Sequence, residues 1–214
     1  MINRVPDGSK IVSPKEECPL LFNSLALLRV CYIRAFTDAN SIDKNILVRH
    51  DSSDILETVR RYTERASPRS ELLTRVVSRT LEAFEVPIRG GALLIQKTAA
   101  LTWSIEHAIA GWDVGLCVTK WIFEIELAQA RNFDTAADEL ENVTRAGHIL
   151  PAAGIKFVPG EQCLAAELAR YWAAFYDDTW VWGLTARMGW VLRQLADTLE
   201  KRLQDVRSSG NDSV

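Results

Sequence analysis

Apolar residues recur at helical spacing through most of the chain. Leu21, Leu25, Leu28, Tyr32 and Phe36 step by four, three, four and four, which aligns side chains on one face of an α-helix. Leu27, Val30, Cys31 and Ile33 fill most of the remaining circumference, so this helix is expected to lie centrally in the core. Thr37 to Asp51 is polar and irregular and reads as a loop. A second helix follows Ser53 or Asp54 as its cap, with Ile55, Val59, Tyr62 and Ala66 as its stripe. Ser67-Pro68 reads as the cap and first-turn proline of a third helix. Its inner face is Leu73, Val76 or Val77, Leu81 and Phe84. Pro87 is expected to end it, because a proline pushes the residue before it out of helical geometry.

From Gly90-Gly91 an apolar helical stretch continues to about Arg131. Trp103, Trp112 and Trp121 lie nine residues apart within it. Nine residues turn a helix by about 180°, so successive tryptophans would point opposite ways. That spacing predicts a break near Gly111-Trp112-Asp113, with Asp113 capping the next helix. Asp134 can cap a short helix through Val143 that stops near Gly147. His148 to Gly160, with Pro151, Gly154, Pro159 and Gly160, reads as a linker. A helix is expected from Glu161 to about Tyr176, and a last one from about Thr179 to Val206. The last carries Met188, Leu192, Leu195, Leu199, Leu203 and Val206 as its stripe. No strand-like alternation persists and no repeat of 20 to 50 residues is visible. The expected fold is all-α, an irregular bundle of about eight helices in a single domain over residues 19–207. Residues 1–18 read as a flexible lead and 208–214 as a disordered tail.

Composition narrows the function classes. The 214 residues are 48% hydrophobic and 25% charged, with net charge -3. That is the balance of a globular protein and not of a disordered one. A slight acidic excess argues against a bare nucleic-acid platform. Charges such as Arg29 interrupt the longest apolar stretch, so no membrane span is expected. Met1 to Lys15 lacks the apolar centre of a secretory leader. Cys18, Cys31, Cys117 and Cys163 show no paired spacing and read as reduced, buried small hydrophobes.

Candidate chemistry is thin. His50, His107 and His148 are isolated, so no zinc site is built in sequence; His107 reads as a hydrogen-bonded residue at the core edge. Gly90-Gly91 lacks the spacing and Lys-Ser/Thr of a phosphate loop. No Gly-x-Ser-x-Gly elbow is present. Asp177-Asp178 would suit magnesium and an apolar diphosphate substrate if a second carboxylate lay one turn on, but that position is Val181. Asp178 therefore reads as a cap before Thr179. Arg187, Arg193, Lys201, Arg202 and Arg207 line the last helix, interleaved with Asp197, Glu200 and Asp205; mixed charge of this kind marks a solvated face. Tyr171, Trp172, Phe175, Tyr176, Trp180, Trp182 and Trp190 cluster within 20 residues. Most of that cluster reads as core, and part of it as the lining of a small-molecule pocket or partner groove.

Several segments together carry a resemblance. They are Leu25-Ala-Leu-Leu-Arg-Val-Cys-Tyr-Ile-Arg34, Trp103-Ser-Ile-Glu-His107, Lys120-Trp121, and Trp172-Ala-Ala-Phe-Tyr-Asp-Asp-Thr-Trp-Val-Trp-Gly183. In this order the chain resembles the fungal-specific transcription factor regulatory domain, closest to the branch associated with two-cysteine, two-histidine zinc fingers. The likeness covers about residues 20 to 205. It implies a nuclear, non-catalytic role in RNA polymerase II gene regulation, through coactivators, other regulators or a small molecule. Zinc is expected only in a DNA-binding head, whose ligand set is absent from these 214 residues, so DNA binding by this chain alone is not expected. The surface candidates are then Trp103, His107, Trp172, Tyr176, Trp180, Trp182 and Trp190. Two rival readings stand beside this one. One is a small helical magnesium enzyme using Asp177 and Asp178. The other is a dimerising or dominant-negative partner of a full-length regulator, self-associating through the Met188 to Val206 stripe.

Overall fold

The computed structural model describes residues 24, 27–28, 30–35, 42–49, 51–67, 69–90, 105–177 and 183–211. Those residues form a short helical segment at 30–35, a 3-10 turn at Lys44–Leu47, and six longer helices. The six are α1 (Ser52–Glu64), α2 (Glu71–Gly90), α3 (Ile105–Ala130), α4 (Ala137–Ala152), α5 (Leu164–Asp177) and α6 (Gly183–Asn211). No strand occurs among the described residues, and the helices share one main core in a single domain. The expected all-α fold is therefore observed. No helix among the described residues is long and apolar enough to cross a membrane.

α3 runs through the centre, packed by α5 and α6 on one side and by α2 on another. It runs unbroken through Gly111-Trp112-Asp113, contrary to the expected break. Trp112 and Trp121 do point away from each other, but both are buried. Opposed faces conflict only in a helix with a solvent side, and α3 has almost none: its buried residues run nearly continuously from His107 to Ala128. It ends at Ala130, and Asn132 just beyond has a φ of 58°, in the left-handed region. There Phe133 N donates to Ala128 O at 2.8 Å and Asn132 N to Gln129 O at 3.0 Å, a Schellman stop.

The first apolar helix is not central. Among its described residues Val30 and Ile33 are buried, while Leu27, Leu28 and Tyr32 are 45%, 54% and 58% exposed. α3 holds the centre that periodicity had assigned to this segment. The expected loop at Thr37 to Asp51 contains the 3-10 turn, which buries Ile46.

Four helix starts differ by a few residues, α5 beginning at Leu164 and not at Glu161. α1 is capped by Asp51, which accepts Ser53 N at 2.8 Å, and not by Ser53 or Asp54. Ala66 lies beyond its end and is exposed, while Ile55, Val59 and Tyr62 are buried as predicted. α2 is capped by Ser70, whose Oγ accepts Leu73 N at 3.2 Å, and not by Ser67. α4 begins at Ala137, and Glu139 reaches back to accept Ala136 N at 3.0 Å, in place of the expected Asp134 cap.

Three helices outrun their predicted stops, α2, α4 and α6. α2 continues through Pro87 to Gly90. A proline this close to the end forfeits one intrahelical bond without an extended interruption. Leu73, Val76, Val77, Leu81 and Phe84 are all buried, as its pattern required. α4 passes Gly147 and includes Pro151. The stop is Gly154 at φ 79°, with Ile155 N donating to Leu150 O and Gly154 N to Pro151 O, each at 2.9 Å. The expected linker is thus shortened from its beginning.

α5 and α6 form the most extensive helix pair. Met188, Leu192, Leu195, Leu199 and Leu203 are buried between α6 and the core. This stripe is therefore unavailable for the self-association expected of it. α6 continues to Asn211, so residues 208–211 of the expected tail are helical.

Candidate functional site

The aromatic cluster is organised by two glycines four residues apart on α3. A Cβ at Gly115 would lie 2.5 Å from Trp172 Cδ1, and one at Gly111 would lie 3.1 Å from the Tyr176 hydroxyl. The notch admits the ring of Trp172, whose Nε1 donates to Gly111 O at 2.7 Å. Tyr176 OH donates to Ala108 O at 3.0 Å. Phe84 stacks on Trp172 with centroids 4.3 Å apart, and Phe175 meets Tyr171 edge-on at 5.2 Å. The Trp172 and Tyr176 bonds and the Phe84 stack clamp α5 to α3 and α2, while the Tyr171–Phe175 contact lies within α5.

The structure thus brings Trp172 and Tyr176 together inside the core, with His107 also buried on α3. None of the three presents an outer partner surface. Trp190 is half-buried, with the Arg187 guanidinium 5.4 Å over its ring. Trp103, Trp180 and Trp182 lie outside the described residues, as do Asp178, Val181 and His50. The notch glycines were missed as packing residues; their spacing of four, placed opposite an aromatic-rich helix, was the available signal.

Among the described residues, four charged ones are buried in the interior: Asp113, Lys120, Glu126 and Glu139. Asp113 accepts from Arg34 Nε at 3.1 Å, Arg34 Nη2 at 2.6 Å and Lys44 Nζ at 2.9 Å, all on Oδ2. Lys120 donates to Thr63 O at 2.6 Å and Glu124 Oε1 at 2.5 Å. Burial lowers its ammonium below the usual lysine range, against the pull of Glu124. Arg202 also donates to Thr63 O, so two cations meet the carbonyl end of α1, where the helix dipole favours them. Glu126 accepts Leu164 N at 2.8 Å and Ala165 N at 3.0 Å. It caps α5 from another helix, and burial nevertheless raises its carboxyl above the ordinary value. Glu139 is the reverse case: the Arg69 guanidinium beside it holds its carboxyl low.

Those charges knit helix ends together. Cys117 and Cys163 are suppressed as nucleophiles: burial pushes the Cys117 thiol up to about 12 and raises Cys163 as well. Cys31 is exposed, a correction to its expected burial, because it faces outward on the peripheral 30–35 segment. Asp177 is exposed and paired with Arg193 of α6. Among the described residues no three His, Cys, Asp or Glu side chains converge as a metal site. Most of the basic residues of α6 are half-buried and bonded within the chain, while Lys201 is exposed. Arg187 donates to Arg49 O, Arg202 lies 5.5 Å over Phe123, and Arg207 donates to Glu161 O at 3.3 Å.

Comparison with curated proteins and with solved structures returns no match. Residues 38–194 match the family described as the fungal transcription factor C-terminal domain. The match covers well over half of the chain, including the central helix, the glycine notch and the α5 clamp seated in it. The chain belongs to the family of fungal transcription factor C-terminal domains.

Proposed function

We propose that this chain is a non-catalytic regulatory module of RNA polymerase II transcription, working in the nucleus through contacts with regulators or coactivators. The observation that carries this reading is the family match over residues 38–194. The interior supports it: the buried carboxylates and the buried lysine join helices to one another. The basic residues of α6 support a role without direct DNA contact, since Arg187, Arg193, Arg202 and Arg207 already hold partners within the chain. The order of motifs from Leu25 to Gly183 favours the branch associated with two-cysteine, two-histidine zinc fingers. Any zinc then belongs to a DNA-binding head and not to these residues.

The test is a tethering assay. The full chain is fused to an unrelated DNA-binding domain in a fungal reporter strain. A several-fold change in reporter output, up or down, over the DNA-binding domain alone is the expected result. A folded, nuclear fusion that leaves the reporter unchanged would falsify the reading.

A further inference from the structure

We infer that residues 30–35 and 42–49 form a docking unit latched by Asp113 of α3 and seated also against α1 and α6, which leaves and returns to that seat while the rest of the fold stays closed. Asp113 draws its partners from both pieces, Arg34 from the first and Lys44 from the second. Those partners are 48% and 40% exposed, whereas the carboxylate is 9% exposed. Water and salt therefore reach the cationic half of the latch. When docked, the unit covers Asp113 and supplies its counter-charges; when released, it returns the carboxylate to water. Neither state leaves a buried charge unpaired, and an intermediate position would. That is the energetic form of a two-position element.

The unit's apolar contacts are of two kinds, one apart from the main core and one within it. Val30 meets Ala110 in a two-residue cluster separate from the main core. Ala110 lies three residues before Asp113 on α3, so latch and apolar contact share one face. Ile33, Ile42 and Ile46 join the main core from the unit's inner side. A second polar tie, from Arg187 to Arg49 O, fixes the far end to α6. The Trp172–Gly111 bond of the α3–α5 clamp and the Glu126 cap are made without any residue of the unit.

Hydrogen exchange on the full chain tests this, read at 31–35, at Ile46, Val48 and Arg49, and across α5. In Asp113→Asn, the two pieces should exchange about tenfold faster or more, the scale of losing a charge-assisted hydrogen bond, while α5 stays unchanged. Salt near 1 M, where the Debye length is only about 3 Å, should accelerate the same amides in the native chain and not in the variant. The double variant Arg34→Gln, Lys44→Gln removes the same latch from exposed positions and decides the matter if Asp113→Asn unfolds. Unchanged rates in both pieces overturn the inference. So does equal acceleration of every helix in the double variant.

Discussion

At Gly115 one hydrogen atom in place of a methyl group sets the distance between two helices. The Trp172 ring occupies the space a Cβ would need, 2.5 Å from Cδ1 and 3.0 Å from Nε1. It cannot easily retreat, because Phe84 is stacked on it and Gly111 O accepts its indole N–H. Gly115→Ala should therefore destabilise the fold. Overpacking costs about 1–3 kcal/mol, offset by about 1 kcal/mol of improved helix propensity. Urea denaturation should show a lower midpoint with an unchanged slope. Gly111→Ala faces only a 3.1 Å approach to the Tyr176 hydroxyl and should be the milder of the two. An equal or higher midpoint for Gly115→Ala would mean that the notch is not what seats α5.

At the scale of elements, the helix ends carry most of the information that the sequence hides. The inner faces of α1, α2 and α6 were legible, since Ile55, Val59, Leu81, Leu192 and Leu199 lie where periodicity placed them. The α5 cap was not legible, because Glu126 lies 38 residues from Leu164 and no local pattern links them. The same holds for Asp113 with Arg34, 79 residues apart. Glu126 has a thermodynamic signature. Its folded-state carboxyl is raised above the ordinary 4.5 by burial, so the folded state binds its proton more tightly than the unfolded state. The stability it contributes is fully present below the unfolded value and is lost as pH rises through the folded one. Glu139 contributes in the opposite sense, because Arg69 lowers its carboxyl, so the total profile mixes both. The difference between the native chain and Glu126→Gln isolates the first. As pH falls from neutral towards 5, the native chain should gain Tm relative to the variant. Parallel curves would show that Glu126 titrates alike in both states.

For the whole molecule, the governing feature is that the most hydrophobic helix sits in the middle and has no outside. Pattern reading assumes a wet face and a dry face, and it works for α1, where Arg60 and Arg61 face water while Val59 and Tyr62 do not. It fails for α3, where tryptophans nine residues apart predict a break that a helix enclosed on nearly all sides does not need. It fails in the opposite sense at residues 27–35, where the sequence is apolar all round yet Leu27, Leu28 and Tyr32 are exposed. Composition alone does not rank two apolar helices for one central position. Contacts with α5, α6 and α2 settle it in favour of α3.

A central helix enclosed in this way leaves its mark on how the gene can vary. Between His107 and Ala128 there is almost no lenient side on which substitutions could accumulate unnoticed. A saturation library scored for folded protein should find intolerance running continuously through that stretch, while Ser52–Glu64 rises and falls with a period near 3.6. A clear 3.6 rhythm within α3 would mean that one of its sides is freer than its burial indicates.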